Sequence, residues 1–189
     1  MAVKIFIDQG HNPVNPNAGA EAAGIREQDV NYEVGIRLAA MLEADPNYEV
    51  RLSRPSADTQ LGTSVTTSLQ ARVAAANAWP ADYFISLHCN ANTNAAISGI
   101  EGYVYALDTA AEELADDIIE GIEDMTGLRA RGVFARPTLY VLRATAMPAA
   151  LIELGYLTNA GDRYLLINDP ESFARGIYRG MNEFFGFGG

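Results

Sequence analysis

Two histidines and two glutamates are the residues of this sequence whose types and positions best suit catalysis. His11 follows the first predicted strand, His88 ends another, and the 189 residues contain no other histidine. Glu27 opens a predicted helix, and Glu153 lies in the almost wholly apolar segment AALIELGY. Because ligands of open α/β sheets bind beyond the carboxyl ends of the strands, these four side chains could converge on one edge of a sheet.

Two histidines and one glutamate are an established set of protein ligands for catalytic zinc, and they leave a fourth coordination position open to water. Water in that position has its pKa lowered to about 7 and can attack a carbonyl if a base accepts its proton. The remaining carboxylate would serve as that base. The four residues together therefore suggest metal-assisted hydrolysis.

Each of these residues also has a structural interpretation. A histidine at a strand end is often held by ordinary hydrogen bonds, and Glu27 could stabilise its helix through the helix dipole. Glu153 is harder to explain structurally, because an isolated carboxylate in an apolar strand costs several kcal/mol unless it is paired or functional. The intervals of 16, 61 and 65 residues between the four positions match no short metal-binding motif. Cys89 is predicted to point away from His88, since neighbouring strand residues face opposite sides, and to be a buried small hydrophobe.

Alternating strands and helices predict the elements that position these residues. The pattern indicates an α/β fold: a single domain over residues 1–189, with a mixed, mostly parallel sheet of about six strands and helices on both faces. Residues 9–25, rich in glycine, proline and asparagine, predict a long mobile loop. The predicted strands are 3–8, 48–52, 83–88, 102–107, 139–142 and 150–154, and the predicted helices are 27–43, 64–78, 109–126, 160–168 and 171–185.

The composition excludes several classes of protein. The chain carries 13 basic and 24 acidic residues, a formal net charge of −11, which argues against nucleic acid as a partner. No segment approaches the ~20 apolar residues of a membrane span, and the N-terminus lacks the pattern of a secretory signal, so the export route is unknown. One cysteine excludes an intramolecular disulfide. Residues 101–124 hold nine acids and no base, which predicts a solvated helix face, whereas residues 125–152 hold four arginines and no acid.

Five sequence blocks resemble, in order, those of the zinc-dependent N-acetylmuramoyl-L-alanine amidases of the type-3 group, which cut bacterial peptidoglycan. The resemblance extends from residue 3 to about residue 186. Any one block is weak evidence, but both histidines fall on ligand positions of the family pattern. The blocks are IFIDQGHNP, GIREQDVNYEVGIRLAAML, RLSRPSAD, LQARVAAAN with ADYFISLHCNAN, and YVLRATAMPAALIELGYLTNAGD.

The resemblance implies a role for each candidate residue. It implies one zinc ion held by His11, Glu27 and His88, with Glu153 as the catalytic acid–base that deprotonates the attacking water and returns the proton to the leaving amine. The implied reaction is hydrolysis of the amide between the lactyl group of N-acetylmuramic acid and L-alanine. Further candidates for substrate binding, through a stem-peptide carboxylate or the developing oxyanion, are Arg131, Arg143 and Asn90.

The sequence departs from the family pattern at three places. Gln9 replaces a commoner proline or alanine and Asn12-Pro13 replaces two glycines, which predicts a stiffer first loop, while Cys89 conservatively replaces alanine. The interval between His88 and Glu153 is too short for the inhibitory helix of division-associated members, which predicts a constitutively open site.

Two alternatives stay open at the level of sequence. A zinc peptidase acting on the stem peptide is the alternative enzyme, and a wall-binding module that has lost catalysis is the alternative outside enzymes. In either case the expected partner is peptidoglycan. The chain is expected to be a monomer that acts on the cell wall, either outside the cell or in the periplasm.

Overall fold

Six of eight strands form one sheet in the computed structural model, which describes residues 1–187. The order across the sheet is β4-β1-β5-β8-β6-β7, and β2 and β3 form a separate two-stranded hairpin. Within the six-stranded sheet, all neighbouring strands are parallel except β6 and β8, which are antiparallel. The strands are β1 Val3–Gln9, β2 Glu21–Ala22, β3 Ile25–Arg26, β4 Tyr48–Leu52, β5 Tyr83–Asn90, β6 Ile100–Val104, β7 Ala130–Ala135 and β8 Ala149–Tyr156.

Six helices cover the two faces of the sheet, and a buried apolar cluster lies on each face. On one face, α1, α3, α5 and α6 pack against alternate residues of β1, β5, β6 and β8. On the other face, α2 and α4 pack against the intervening residues of β1, β5 and β8. The helices are α1 Glu27–Glu43, α2 Val65–Ala78, α3 Ala110–Thr126, α4 Tyr140–Ala144, α5 Ala160–Asn168 and α6 Pro170–Phe185. The predicted fold class is confirmed.

The domain boundary predicted at residue 189 lies outside the described residues. Among residues 1–187, none of the helices combines the length and the apolar composition that a bilayer crossing requires.

Four predictions about elements were wrong in detail. Residues 139–142, predicted as a strand, belong mostly to α4, and this short apolar run fits either structure by its pattern alone. Strand β7 was missed because it lies at the sheet edge, where its residues are exposed or half-buried, and it lacks an alternating apolar pattern. Strand β6 begins at Ile100 rather than at 102 and ends at Val104, before the exposed Tyr105. The predicted loop 9–25 includes β2 and the first residue of β3.

Candidate active site

Three side chains with metal-binding atoms converge beyond the carboxyl ends of β1 and β5. His11 follows β1, His88 lies near the end of β5, and Glu27 is the first residue of α1. Glu27 Oε1 lies 3.2 Å from His11 Nε2 and 2.9 Å from His88 Nδ1. One potential ligand atom of each residue lies within 4.8 Å of the other two. The structure therefore brings together the three residues for which the sequence predicts zinc coordination.

The chemistry of this cluster fits a divalent metal ion. Glu27 is 4% exposed, and its Oε2 accepts a hydrogen bond from the Ala20 N–H at 2.8 Å. Burial acts to raise the pKa of Glu27, but hydrogen bonds and charge interactions with the two imidazoles hold that pKa far below its usual range. An ionised carboxylate and two imidazole nitrogens are the donors that zinc prefers in catalytic sites. The cluster could therefore hold a metal ion.

A buried ion pair fixes the loop that carries His11. Arg72 is 1% exposed and donates a hydrogen bond to Asp8 Oδ1 at 2.6 Å. The same guanidinium donates to the carbonyls of Gln9 at 2.7 Å and of His11 at 2.6 Å. Ser86 Oγ donates to the second oxygen of Asp8 at 2.8 Å. Arg72 was not predicted from the sequence to have a role. The signal available for it was a charged residue next to the apolar Val73 in a predicted helix.

Glu153 lies on β8, which is next to β5 in the sheet, at the same level as His88. It is paired in register with His88 on one side and with Glu101 on the other. Its Oε2 is buried and receives no hydrogen bond from the described residues. Burial, followed by the negative charges of Glu27 and Glu101, raises the pKa of Glu153 to about 8. Such a carboxyl group can hold and release a proton near neutral pH.

Glu101 is a second buried carboxylate beside Glu153, and it was not predicted from the sequence as part of the site. It is 7% exposed and accepts hydrogen bonds from Tyr156 and Arg131 at Oε1, both at 2.7 Å, and from Tyr103 at Oε2 at 2.6 Å. Burial acts to raise its pKa, but these three donors hold it below the usual range. The prediction of a solvated acidic stretch over 101–124 is therefore wrong for Glu101, whose position in an apolar strand was the signal that could have found it.

The three predicted substrate-binding residues lie in different places. Arg131 pairs with Glu101 and keeps part of its side chain exposed. Asn90 ends β5, and its Nδ2 lies 3.5 Å from the Tyr103 hydroxyl. Arg143 lies over the Tyr140 ring and lines a separate surface cavity of about 300 Å³ that includes none of the three metal-ligand candidates. Arg131 and Asn90 are thus near Glu153, whereas Arg143 is not part of this cluster.

Three of the four residues that depart from the family pattern are buried, and the fourth, Pro13, is half-buried. Gln9 bonds through its side chain to the backbone of Arg54, and Asn12 bonds in the same way to the backbone of Leu61. Both side chains are fully buried, so they hold neighbouring loops together. Cys89 is also buried, as predicted.

Gly10 leaves the space that the His88 ring fills. A methyl group there would lie 2.5 Å from the ring and 2.6 Å from the Leu87 carbonyl oxygen, which belongs to the backbone of β5. We expect Gly10→Ala to displace His88 and to reduce zinc affinity by about 10–100-fold, as measured by competition with a chromophoric chelator. Gly161→Ala is the matched control, because its methyl group would meet a single side-chain oxygen at 3.2 Å. Equal zinc affinity in the two variants would contradict this account.

A metal-ligand cluster at the carboxyl edge of an α/β sheet, beside a buried carboxylate that lacks a partner, is typical of metal-assisted hydrolases. A sequence family described as N-acetylmuramoyl-L-alanine amidase matches residues 5–183. The chain belongs to this family, and the resemblance seen in the sequence is therefore confirmed. The chain is an enzyme of the peptidoglycan amidase class.

Individual relatives agree with this assignment. The chain is 37% identical over 186 residues to N-acetylmuramoyl-L-alanine amidase CwlM of Bacillus licheniformis, covering 97% of this chain and 69% of that protein. It is 37% identical to N-acetylmuramoyl-L-alanine amidase LytC of Bacillus subtilis over 84% of this chain, but it spans only 30% of LytC. The solved N-acetylmuramoyl-L-alanine amidase from Clostridium difficile 630 superposes with a TM-score of 0.87 at 31% identity, covering 100% of this chain and 99% of that one.

Proposed function

We propose that this chain hydrolyses the amide bond between the lactyl group of N-acetylmuramic acid and the L-alanine of the stem peptide, with one zinc ion held by His11, Glu27 and His88. The observation that carries the proposal is the convergence of these three donors next to Glu153, whose buried Oε2 has no hydrogen-bond partner among the described residues. Membership of the amidase family supports the choice of bond.

When bound, zinc supplies Lewis acidity, which polarises an amide carbonyl and acidifies water. Glu153 accepts a proton from the attacking water as the new C–O bond forms. The same carboxyl group then donates that proton to the nitrogen of L-alanine as the C–N bond breaks. Its burial and its carboxylate neighbours favour the protonated form, which equips Glu153 for the second step.

Arg131 and Asn90 are proposed to contact the substrate, because both side chains lie next to the Glu101 and Glu153 pair. The Arg131 guanidinium is fixed by Glu101 and partly exposed, so it can bind a stem-peptide carboxylate. A contact from Arg143 stays a prediction from the sequence, and its position outside the cluster does not support it.

The proposed place of action is the cell wall, either outside the cell or in the periplasm. Peptidoglycan is the proposed substrate, residues 1–189 are proposed to act as one catalytic domain, and the active form is proposed to be a monomer. The match in length to a solved amidase supports the single domain.

The proposal is tested by incubating the chain with purified peptidoglycan, with a chelator, and with the chelator followed by added zinc. We expect new L-alanine amino termini in the untreated sample, none after chelation, and recovery with zinc. New amino termini of other residues would indicate a peptidase instead. Binding to the wall without any new termini would indicate a non-catalytic module, and activity that survives full removal of metal would exclude the zinc mechanism.

A further inference from the structure

An arginine and two aromatic rings lie together at the edge of the sheet that β6 and β7 form. This arginine–aromatic patch consists of Tyr103 on β6, Phe134 on β7 and Arg136 directly after β7. Tyr103 and Phe134 are paired in register, and their ring centroids are 6.4 Å apart. The Arg136 guanidinium lies 4.8 Å from the Tyr103 centroid and 5.8 Å from that of Phe134. Phe134 is 39% exposed, so the patch is open to solvent.

The packing of the fold accounts for Tyr103 but not for Phe134 and Arg136. Tyr103 is partly buried against the apolar cluster beneath α2 and α4, whereas Phe134 and Arg136 are exposed. Helix α3 packs on the opposite face of β6. Within residues 1–187, the Arg136 side chain forms no ion pair, and its recorded hydrogen bond is to the carbonyl of the adjacent Ala135 at 3.3 Å. Its guanidinium therefore lies over two rings while most of its N–H donors remain available to a ligand.

The patch continues the candidate active site across the sheet. Tyr103 donates a hydrogen bond to Glu101, and Glu101 is paired in register with Glu153. Strands lie about 4.8 Å apart, so β7 lies roughly 10 Å from β8, two strands away. Tyr103 and Phe134 lie at the level of Leu151, two residues along β8 from Glu153, which adds an offset of about 7 Å along the strands. The combined distance is about 12 Å, and extended peptide spans about 3.4 Å per residue. Two or three residues of a peptide that leaves the reacting amide along this face, together with the side chain that carries the carboxylate, would reach the patch.

Charge indicates which chemical group this surface accepts. The chain as a whole carries a net charge of −11, yet residues 125–152, which include β7, contain four arginines and no acidic residue. This local positive charge favours a carboxylate, which a guanidinium binds through two parallel hydrogen bonds.

We propose that the arginine–aromatic patch binds a free carboxylate of the stem peptide, on its second or third residue, and that Arg136 thereby determines substrate specificity. This inference rests on the proposed amidase function, since it takes Glu153 as the position of the reacting amide. Tyr103 and Phe134 hold the guanidinium in the orientation that receives the carboxylate.

The test uses soluble N-acetylmuramyl tripeptides in which the carboxylates of the second and third residues are free or are amidated one at a time. We expect the intact enzyme to prefer one free carboxylate over its amide by about 10-fold or more in kcat/KM. Arg136→Gln is expected to remove that preference by raising KM for the free carboxylate, with kcat nearly unchanged. Arg51→Gln is the matched control, because it removes another exposed arginine that lies over an aromatic ring, that of Trp79, and β4 lies at the opposite edge of the sheet. This variant should keep the preference.

Two results would overturn the inference while leaving the amidase proposal intact: indifference of the intact enzyme to both amidations, or an equal loss of activity by Arg136→Gln on free and amidated substrates. A loss of preference in Arg51→Gln equal to that in Arg136→Gln would also overturn it. If the intact enzyme releases no L-alanine amino terminus from any tripeptide or from peptidoglycan, the amidase proposal fails, and this inference fails with it.

Discussion

Replacing Glu153 with glutamine is expected to lower kcat for peptidoglycan hydrolysis by about 10²–10⁴-fold, the usual contribution of a general acid–base residue. The amide of glutamine has nearly the shape of the carboxyl group, but it can neither accept the proton of the attacking water nor return it to the leaving amine. The three metal-ligand candidates are unchanged by this substitution. The zinc content of the purified variant should therefore equal that of the unmodified chain, as measured by elemental analysis.

The same substitution should leave the stability of the fold intact. Glu153 Oε2 is buried without a hydrogen-bond partner among residues 1–187, and burial, followed by two other carboxylates, raises the pKa of this group. A neutral side chain at this position removes the cost of burying a charge beside them, so the melting temperature of Glu153→Gln should be equal to or higher than that of the unmodified chain. Glu171→Gln is the control, since its carboxylate lies on the surface of α6. Retention of full activity by Glu153→Gln would remove this residue from the mechanism.

The candidate metal cluster could be predicted because its parts depend on local signals. His11 follows a short apolar strand and His88 lies at the end of another, and in a parallel sheet such positions meet at one edge. Glu27 was ambiguous by position, because a first-turn acid also stabilises a helix. The ordered family blocks favoured the metal-binding interpretation of Glu27, and the fold then brings its Oε1 within 3.2 Å of both histidines.

The supporting residues could not be predicted in the same way, because their roles depend on contacts between distant segments. Arg72 and Asp8 are separated by 64 residues in the sequence. Glu101 and Arg131 are separated by 30 residues and meet only because β6 and β7 are neighbours. Since β7 was not predicted, the pairing of Arg131 could not be inferred. A count of charges over residues 101–124 predicts a solvated helix face, but it cannot show that Glu101 alone among these acids is buried.

Arg72→Met is expected to destabilise the fold by about 3–5 kcal/mol, because it leaves the carboxylate of Asp8 buried without its partner. The variant also frees the carbonyls of Gln9 and His11, which the guanidinium binds at 2.7 and 2.6 Å. Urea unfolding in metal-free buffer measures the change without a contribution from metal affinity. A second variant that adds Asp8→Asn should recover part of the loss, because it removes the unpaired charge.

The pH dependence of this loss separates an unpaired charge from a simple packing defect. In the intact chain, burial acts to raise the pKa of Asp8, but Arg72 holds it below its usual range. Asp8 therefore contributes stability that is present above its unfolded pKa of about 3.9 and lost as pH falls through the folded value. Without Arg72, burial alone raises that pKa, so Arg72→Met gains stability relative to the intact chain as acid neutralises the carboxylate. The difference in unfolding free energy between the intact chain and Arg72→Met should narrow as the pH falls from 7 to 5. A packing defect would instead keep this difference constant.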